Sequence, residues 1–195
     1  MAFTMPAFVR SPENRIGASL VALVLISGCS DPAANERFEL TRVEAAWSNG
    51  KVDVSFEQDL ALSNEARDAL IHGVPLTISL MLSLRNTATQ VRVATESNSY
   101  EIRYLPLSDH YQLSNAKDSK VKTFPRLRHV LADLSELKFS FETGVLPSGN
   151  YELLARTRLA QESMPPPMRL PVLLSARWHH DSSWSSWPLE IEPEA

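Results

Sequence analysis

Between residues 38 and 160 the apolar positions recur mostly with a period of two. Val52, Val54 and Phe56 alternate with Asp53, Ser55 and Glu57, giving one dry and one wet face, as a half-buried strand requires. Phe38–Trp47 and Val52–Leu60 flank Ser48-Asn49-Gly50-Lys51, and Asn-Gly supplies the two positive-φ residues of a tight turn. These segments therefore form a hairpin. Leu76, Ile78, Leu80, Leu82 and Leu84 alternate with Thr77, Ser79, Met81, Ser83 and Arg85, the longest such run in the chain. Gln90–Leu107 reads as one or two more strands, with Tyr100, Ile102 and Tyr104 on one face. Pro106–Asp109 turns the chain and His110–Ser114 returns. Leu137, Phe139 and Phe141 mark another strand, as do Tyr151, Leu153, Ala155, Thr157 and Leu159. Leu170–Trp178 is read as the last.

Two segments follow a helical period instead. In Leu62–Gly73, Ser63 caps free amides, acids sit in the first turn, Gly73 takes the left-handed stop and Pro75 forbids continuation. After the polar, basic loop Lys117–Lys122, Pro125 suits a first helical turn, and Leu127, Val130, Leu131 and Leu134 form one apolar stripe. Gly144–Asn150 is read as a loop, and Met164-Pro-Pro-Pro-Met168 as a bend, because three successive residues lack amide donors. There is no internal repeat and no interdomain linker. The expected fold is mainly β: an antiparallel β-sandwich, Ig-like in general architecture, with two short connecting helices.

The first thirty residues follow neither period. Arg10 and Arg15 against Glu13 precede Ile16–Ile26, eleven residues without a charge. A membrane span needs about 20 apolar residues, so this is a secretory leader rather than an anchor. Leu25-Ile26-Ser27-Gly28-Cys29 resembles the bacterial lipobox, in which the Cys sulfur receives a diacylglyceryl group, the leader is cut before it, and the new amine is acylated. Cys29 is the only Cys of the chain. The expected organisation is a lipoprotein signal peptide over 1–28, cleaved between Gly28 and Cys29, a tether over 29–36, one domain over 37–188 and a polar tail over 189–195. The resemblance implies lipidation at Cys29 and a place in the bacterial envelope facing the periplasm. Ser30 favours the outer membrane, and Asp31 favours inner-membrane retention in some bacteria.

Composition narrows the function classes. The 195 residues carry 19 basic and 23 acidic side chains, a formal charge of -4. Losing residues 1–28 removes two bases and one acid and brings the charge to -5. Without a basic excess there is no electrostatic footprint for nucleic acid. A lone Cys forms neither an internal disulfide nor a Cys-rich zinc site. Six Gly make none of the phosphate-cradling patterns, and no cofactor motif is present.

Leu62-Ser63, then Ala69-Leu70-x-x-Gly73-Val74-Pro75-Leu76, Arg103-Tyr104-x-x-Leu107 with His110-Tyr111, Leu153–Leu159, and Trp178-x-x-Asp181-Ser182-x-Trp184 occur in this order. Together they resemble a bacterial family catalogued as domain of unknown function 4390, over roughly residues 38–187. Where that family usually has Leu-Pro before its last strand, this chain has Met164-Pro165. The resemblance implies an exported envelope protein, often encoded near a sensor histidine kinase. It carries over no catalytic residue.

Several groups are candidates for chemistry. His179-His180-Asp181 offers metal-type ligands, but neighbours on an extended chain point apart, so only His179 and Asp181 share a face. A third ligand would have to come from His110, His129 or His72, far away in sequence, so no metal site is assigned. His110, or His179 with Asp181, are weak catalytic candidates, without the Gly-x-Ser-x-Gly elbow of a serine hydrolase. Arg156 and Arg158 either pair across a wet sheet face or present an anion-binding surface. Trp184 and Trp187, three apart among serines, either pack or meet a partner. The reading reached is a non-enzymatic envelope binding or interaction module, held to a membrane by its lipid and facing an envelope protein partner, lipid or glycan. The alternatives are a hydrolase acting on envelope material and a carrier of lipid or a small ligand.

Overall fold

In a computed structural model the described residues are 37–192 apart from 119, 168, 170, 171, 173 and 174. Cys29, the leader and the tether lie outside them. Among the described residues nine strands make two antiparallel sheets. β1 (Arg37–Ser48), β2 (Lys51–Ala61) and β7 (Glu136–Glu142) form a three-stranded sheet in the order β1-β2-β7. β3 (Leu76–Asn86), β4 (Arg92–Leu105), β5 (His110–Asn115), β6 (Val121–Phe124), β8 (Gly149–Leu159) and β9 (Ser185–Ile191) form a six-stranded sheet in the order β6-β5-β4-β3-β8-β9. Two short helices, α1 (Asn64–Ile71) and α2 (Leu127–Ser135), make the crossings from small to large sheet and back. The fold is mainly β with two antiparallel sheets.

The β1–β2 hairpin turns on Asn49 (φ 49°) and Gly50 (φ 75°), the two left-handed residues this turn demands. The register slips once, at Thr41, where Leu40 faces Gln58 but Arg42 faces Glu57. Thr41 is the extra residue of a bulge, and its hydroxyl donates to the Glu57 carbonyl at 2.9 Å. The bulge shifts the alternation of β1, so Phe38 and Leu40 face inward before it and Val43 after it.

α1 begins as its sequence implies. Ser63 Oγ accepts from the Ala66 amide at 3.1 Å, Glu65 sits in the first turn and Gly73 takes φ 88° just beyond the end. α2 starts two residues after Pro125, with Arg126 as an extended N-cap that makes no side-chain cap bond.

The inner face of the large sheet is too long for the small sheet to cover alone. One end, with Leu80, Leu82 and Leu84 of β3 and Tyr151, Leu153 and Ala155 of β8, packs under the small sheet against Val52, Val54 and Phe56. The other end, with Leu76, Ile78, Ile102 and Leu159, is covered by Leu62, Ala66 and Leu70 of the α1 region, Val130 and Leu134 of α2, and Met164, Val172 and Trp178. The helices thus complete the second layer of the sandwich.

The structure departs from the sequence reading in three places. Of the expected last strand Leu170–Trp178, residues 170, 171, 173 and 174 are not described, while Val172 is helical and Ala176–Trp178 is a 3-10 turn. The last strand among the described residues is β9, which carries past the boundary expected at residue 188. Leu189 and Ile191, assigned to a polar tail, are buried against β8. Val121–Phe124, overlapping the end of the expected loop, adds a short sixth strand to the large sheet.

Candidate functional site at the C-terminal segment

Most of the chemistry-bearing residues singled out from sequence converge where residues 176–184 return along β8. Asp181 bridges to Arg158 in antiparallel fashion, and the Leu159 amide donates to the His180 carbonyl at 2.9 Å. The Ser182 amide donates to Thr157 O at 2.9 Å, and the Thr157 amide donates to Ser182 Oγ at 2.9 Å. This backbone ladder sets the side chains of 179–182 alternately outward and inward.

Outward, Asp181 takes both arms of the Arg156 guanidinium, with Nε to Oδ1 at 2.8 Å and the terminal nitrogen on Oδ2. Its Oδ1 also accepts from the Ser183 amide at 2.8 Å. The Arg156 hydrogen bonds hold the Asp181 carboxyl below the usual carboxylate range and raise the guanidinium in turn. Arg158 pairs with Glu162 instead. Both arginines of the candidate interaction surface are therefore engaged by carboxylates of this chain. Asp181 is a diagonal cross-strand neighbour of Arg156, 25 residues downstream on the segment bridged to β8, whereas Glu162 follows Arg158 by four residues.

Inward, His180 is buried and its Nε2 accepts from the Ser63 amide at 2.8 Å. A ring nitrogen that accepts carries no proton, so the imidazole is neutral with its hydrogen on Nδ1. The ring lies 5.3 Å from that of Phe38, tilted by 58°. His180 thus joins the start of β1, the N-cap of α1 and the C-terminal segment. His179, next door, is exposed. The sequence placed the weight on His179 rather than on His180, which entered only as a member of His179-His180-Asp181 and of a nominal His180, Asp181 and Ser183 triad. No local pattern marks His180, because its partner is 117 residues away.

The other candidates are dispersed. His110 begins β5, with Nδ1 against the Ser108 carbonyl. β4 and β3 separate it from β8, so at about 4.8 Å per strand it lies roughly 15–20 Å from Asp181. His72 turns to the Asp68 carbonyl at 2.6 Å. Among the described residues no group of three or more His, Cys, Asp or Glu is disposed to hold a metal. No helix of the described residues is long and apolar enough to cross a membrane.

The tryptophans divide by position. Trp178 is core, Trp187 on β9 is half-buried against the cluster under the small sheet, and Trp184 is 44% exposed. Two open grooves lie elsewhere. One, of about 520 Å³, runs between the edges of β1 and β9 and includes Trp47 and Pro188. The other, of about 490 Å³, lies between the β4–β5 turn and the start of α2, with His110, Arg126 and Arg128 on its walls.

A family model described as domain of unknown function (DUF4390) matches residues 35–188. The chain belongs to this family. The match begins two residues before β1 and ends within β9, so DUF4390 comprises both sheets and both helices. No curated protein and no solved structure matches the chain.

Proposed function

We propose that this DUF4390 protein is an envelope lipoprotein, tethered through acylated Cys29 and acting as a non-enzymatic binding or interaction module on the periplasmic side of a bacterial membrane. The observation that carries the reading is the position of the only Cys. It directly follows a short apolar run and two small residues, where lipobox chemistry needs a thiol. Three acyl chains, at about 0.8 kcal/mol per buried methylene, hold a protein on a bilayer essentially permanently. The tether of polar residues then sets a folded domain close above that surface. Ser30 directly after Cys29 favours the outer membrane.

The interaction reading is supported by where the ionisable groups are spent. Asp181 is neutralised by Arg156, His180 accepts from a backbone amide, and His110 faces its own turn. Trp184, three residues beyond Asp181, stands exposed. The test is to compare the parent with Cys29→Ser in the native envelope by fractionation and intact mass. The expected result is a triacylated parent in the membrane fraction and a variant without acyl mass. A parent whose mass is that of the bare chain sinks the lipoprotein reading. A native mass spectrum of the gently extracted parent then tests the module: a second polypeptide supports it, whereas a retained small molecule points to a carrier or an enzyme.

A further inference from the structure

The strand directions gather several unconnected features at one end of the domain. β1 enters there: Arg37 pairs with Ala61, and Phe38 packs in the helix-covered cluster with Leu76 and Ile102. β4 passes Ile102, opposite Leu76, and runs on to the turn at Pro106–Asp109, which projects from that same end. α1 also finishes there, since Ile71 is followed closely by Leu76. α2 starts there too, because Phe124, just ahead of it, pairs with Tyr111 at the base of the β4–β5 turn.

This end carries apolar side chains that the fold does not use. Leu107, at the tip of the turn, is fully exposed, and Ile71 is 48% exposed. Turn tips ordinarily carry Gly, Asn, Asp, Ser or Pro, and Pro106, Ser108 and Asp109 are of that kind; Leu107 is not. Behind it lies the groove walled by His110, Arg126 and Arg128. Asp109, the acid in that groove, accepts from the Tyr104 hydroxyl at 2.9 Å. The first turn of α2 holds no acid, so the helix N-terminus adds to the positive field of the two arginines.

We propose that this end of the domain docks on an anionic lipid surface, with Leu107 and Ile71 entering the interface and Arg126 and Arg128 meeting headgroup phosphates. The proposal rests on the tether reading, and the place where the chain enters argues for it. From Cys29 to Arg37 the chain reaches at most about 28 Å at about 3.5 Å per residue. β1 packs on β8 and β9, and β5 lies three strands from β8, about 14 Å across the sheet. A domain so tethered presents this end to its own membrane, with the Leu107 turn within reach. The opposite end carries Glu190, Glu192 and Glu142, the last paired with Lys51 at 3.3 Å, and in this arrangement it points away from the bilayer.

In the acylated protein Cys29 has no free thiol, so one introduced Cys takes a probe alone. The full-length lipoprotein with Leu107→Cys, and separately Val145→Cys at the opposite end, is labelled with nitrobenzoxadiazole. Each is reconstituted in vesicles of phosphatidylethanolamine with phosphatidylglycerol, and in vesicles of phosphatidylcholine. The expected result is a blue-shifted probe at 107 that spin-labelled lipid quenches in anionic vesicles, and an aqueous probe at 145. Arg126→Glu with Arg128→Glu, melting as the parent does, should return the 107 probe toward water. Two aqueous probes on a protein whose mass shows acylation overturn the docking and leave the tether standing. An unacylated mass overturns both. A blue shift at 107 that grows with protein concentration and is not quenched by lipid overturns the docking in favour of a second copy of the chain.

Discussion

The Thr157 hydroxyl donates to Gln58 Oε1 at 2.7 Å, and Gln58 Nε2 donates to the Leu134 carbonyl at 2.7 Å. All three groups are buried. Gln58 lies between Phe56 of one hydrophobic cluster and Leu60 of the other, and Thr157 lies between Ala155 and Leu159 in the same way. The pair marks the seam where cover by the small sheet gives way to cover by the helices. It also joins β2 to β8 across the sandwich and takes up one of the last carbonyls of α2, which has no partner within the helix.

Gln58→Leu should therefore be costly, because it leaves both the Thr157 hydroxyl and the Leu134 carbonyl buried without their partner. The expected loss is about 1–3 kcal/mol in urea unfolding. Thr157→Val strands only one acceptor and should cost less. In the double variant the two losses should fall short of their sum, as for residues that share a network. Simple additivity would show that the seam is not one unit.

His180→Phe keeps a ring against Phe38 but removes the acceptor for the Ser63 amide. The expected loss is about 1–3 kcal/mol, the cost of a buried donor left unsatisfied. Amide exchange at Ser63 should quicken beyond the change in global stability, whereas His179→Ala should leave the melting temperature unchanged. Equal effects of the two substitutions would contradict the inward and outward assignment.

Asp181 sets an acid limit. Its native carboxyl is depressed by the Arg156 hydrogen bonds, so the folded state binds that proton less readily than the unfolded state. The contribution is complete above the unfolded value of about 3.9 and is lost as pH falls through the lower folded one. Arg156→Gln should flatten the fall in urea midpoint between about pH 5 and pH 2 while leaving the slope near neutrality unchanged. An unaltered acid limb would mean that other carboxylates govern it.

Gly50→Ala should destabilise the hairpin by about 1–2 kcal/mol, because φ is +75° and an L side chain is strained there. The added methyl would stand 3.4 Å from the Gly144 backbone, whose amide donates to the Gly50 carbonyl at 3.0 Å. Differential scanning calorimetry reads the change. A variant as stable as the parent would contradict the left-handed turn.

Local order alone specified a good deal of this protein. Period-two alternation in β2, β3 and β8, the Asn49-Gly50 turn and the Ser63 and Gly73 boundaries of α1 rest on contacts within a few residues, so they can be read along the chain. The run from Leu170 to Trp178 has no period, and a continuous apolar stretch fits a helix as well as a strand. Pro188 argues against a strand, and β9 accommodates it only by lying at a sheet edge, where a missing amide donor costs little. The Thr41 bulge shows no local signal either, since it reflects pairing with β2.

The candidate site divides along the same line. The sequence by itself determined the strand-rich pattern, the first helix and the placing of the single Cys after an apolar run. Only the tertiary structure decided that Arg156 is satisfied by Asp181, that His180 rather than His179 turns inward, and that Leu107, Arg126 and Arg128 share one end with the start of β1. Turns, caps and alternation are set by neighbours a few residues apart. The Arg156–Asp181 and His180–Ser63 contacts join residues 25 and 117 positions apart, which meet only once the C-terminal segment has folded back along β8 and against the start of α1.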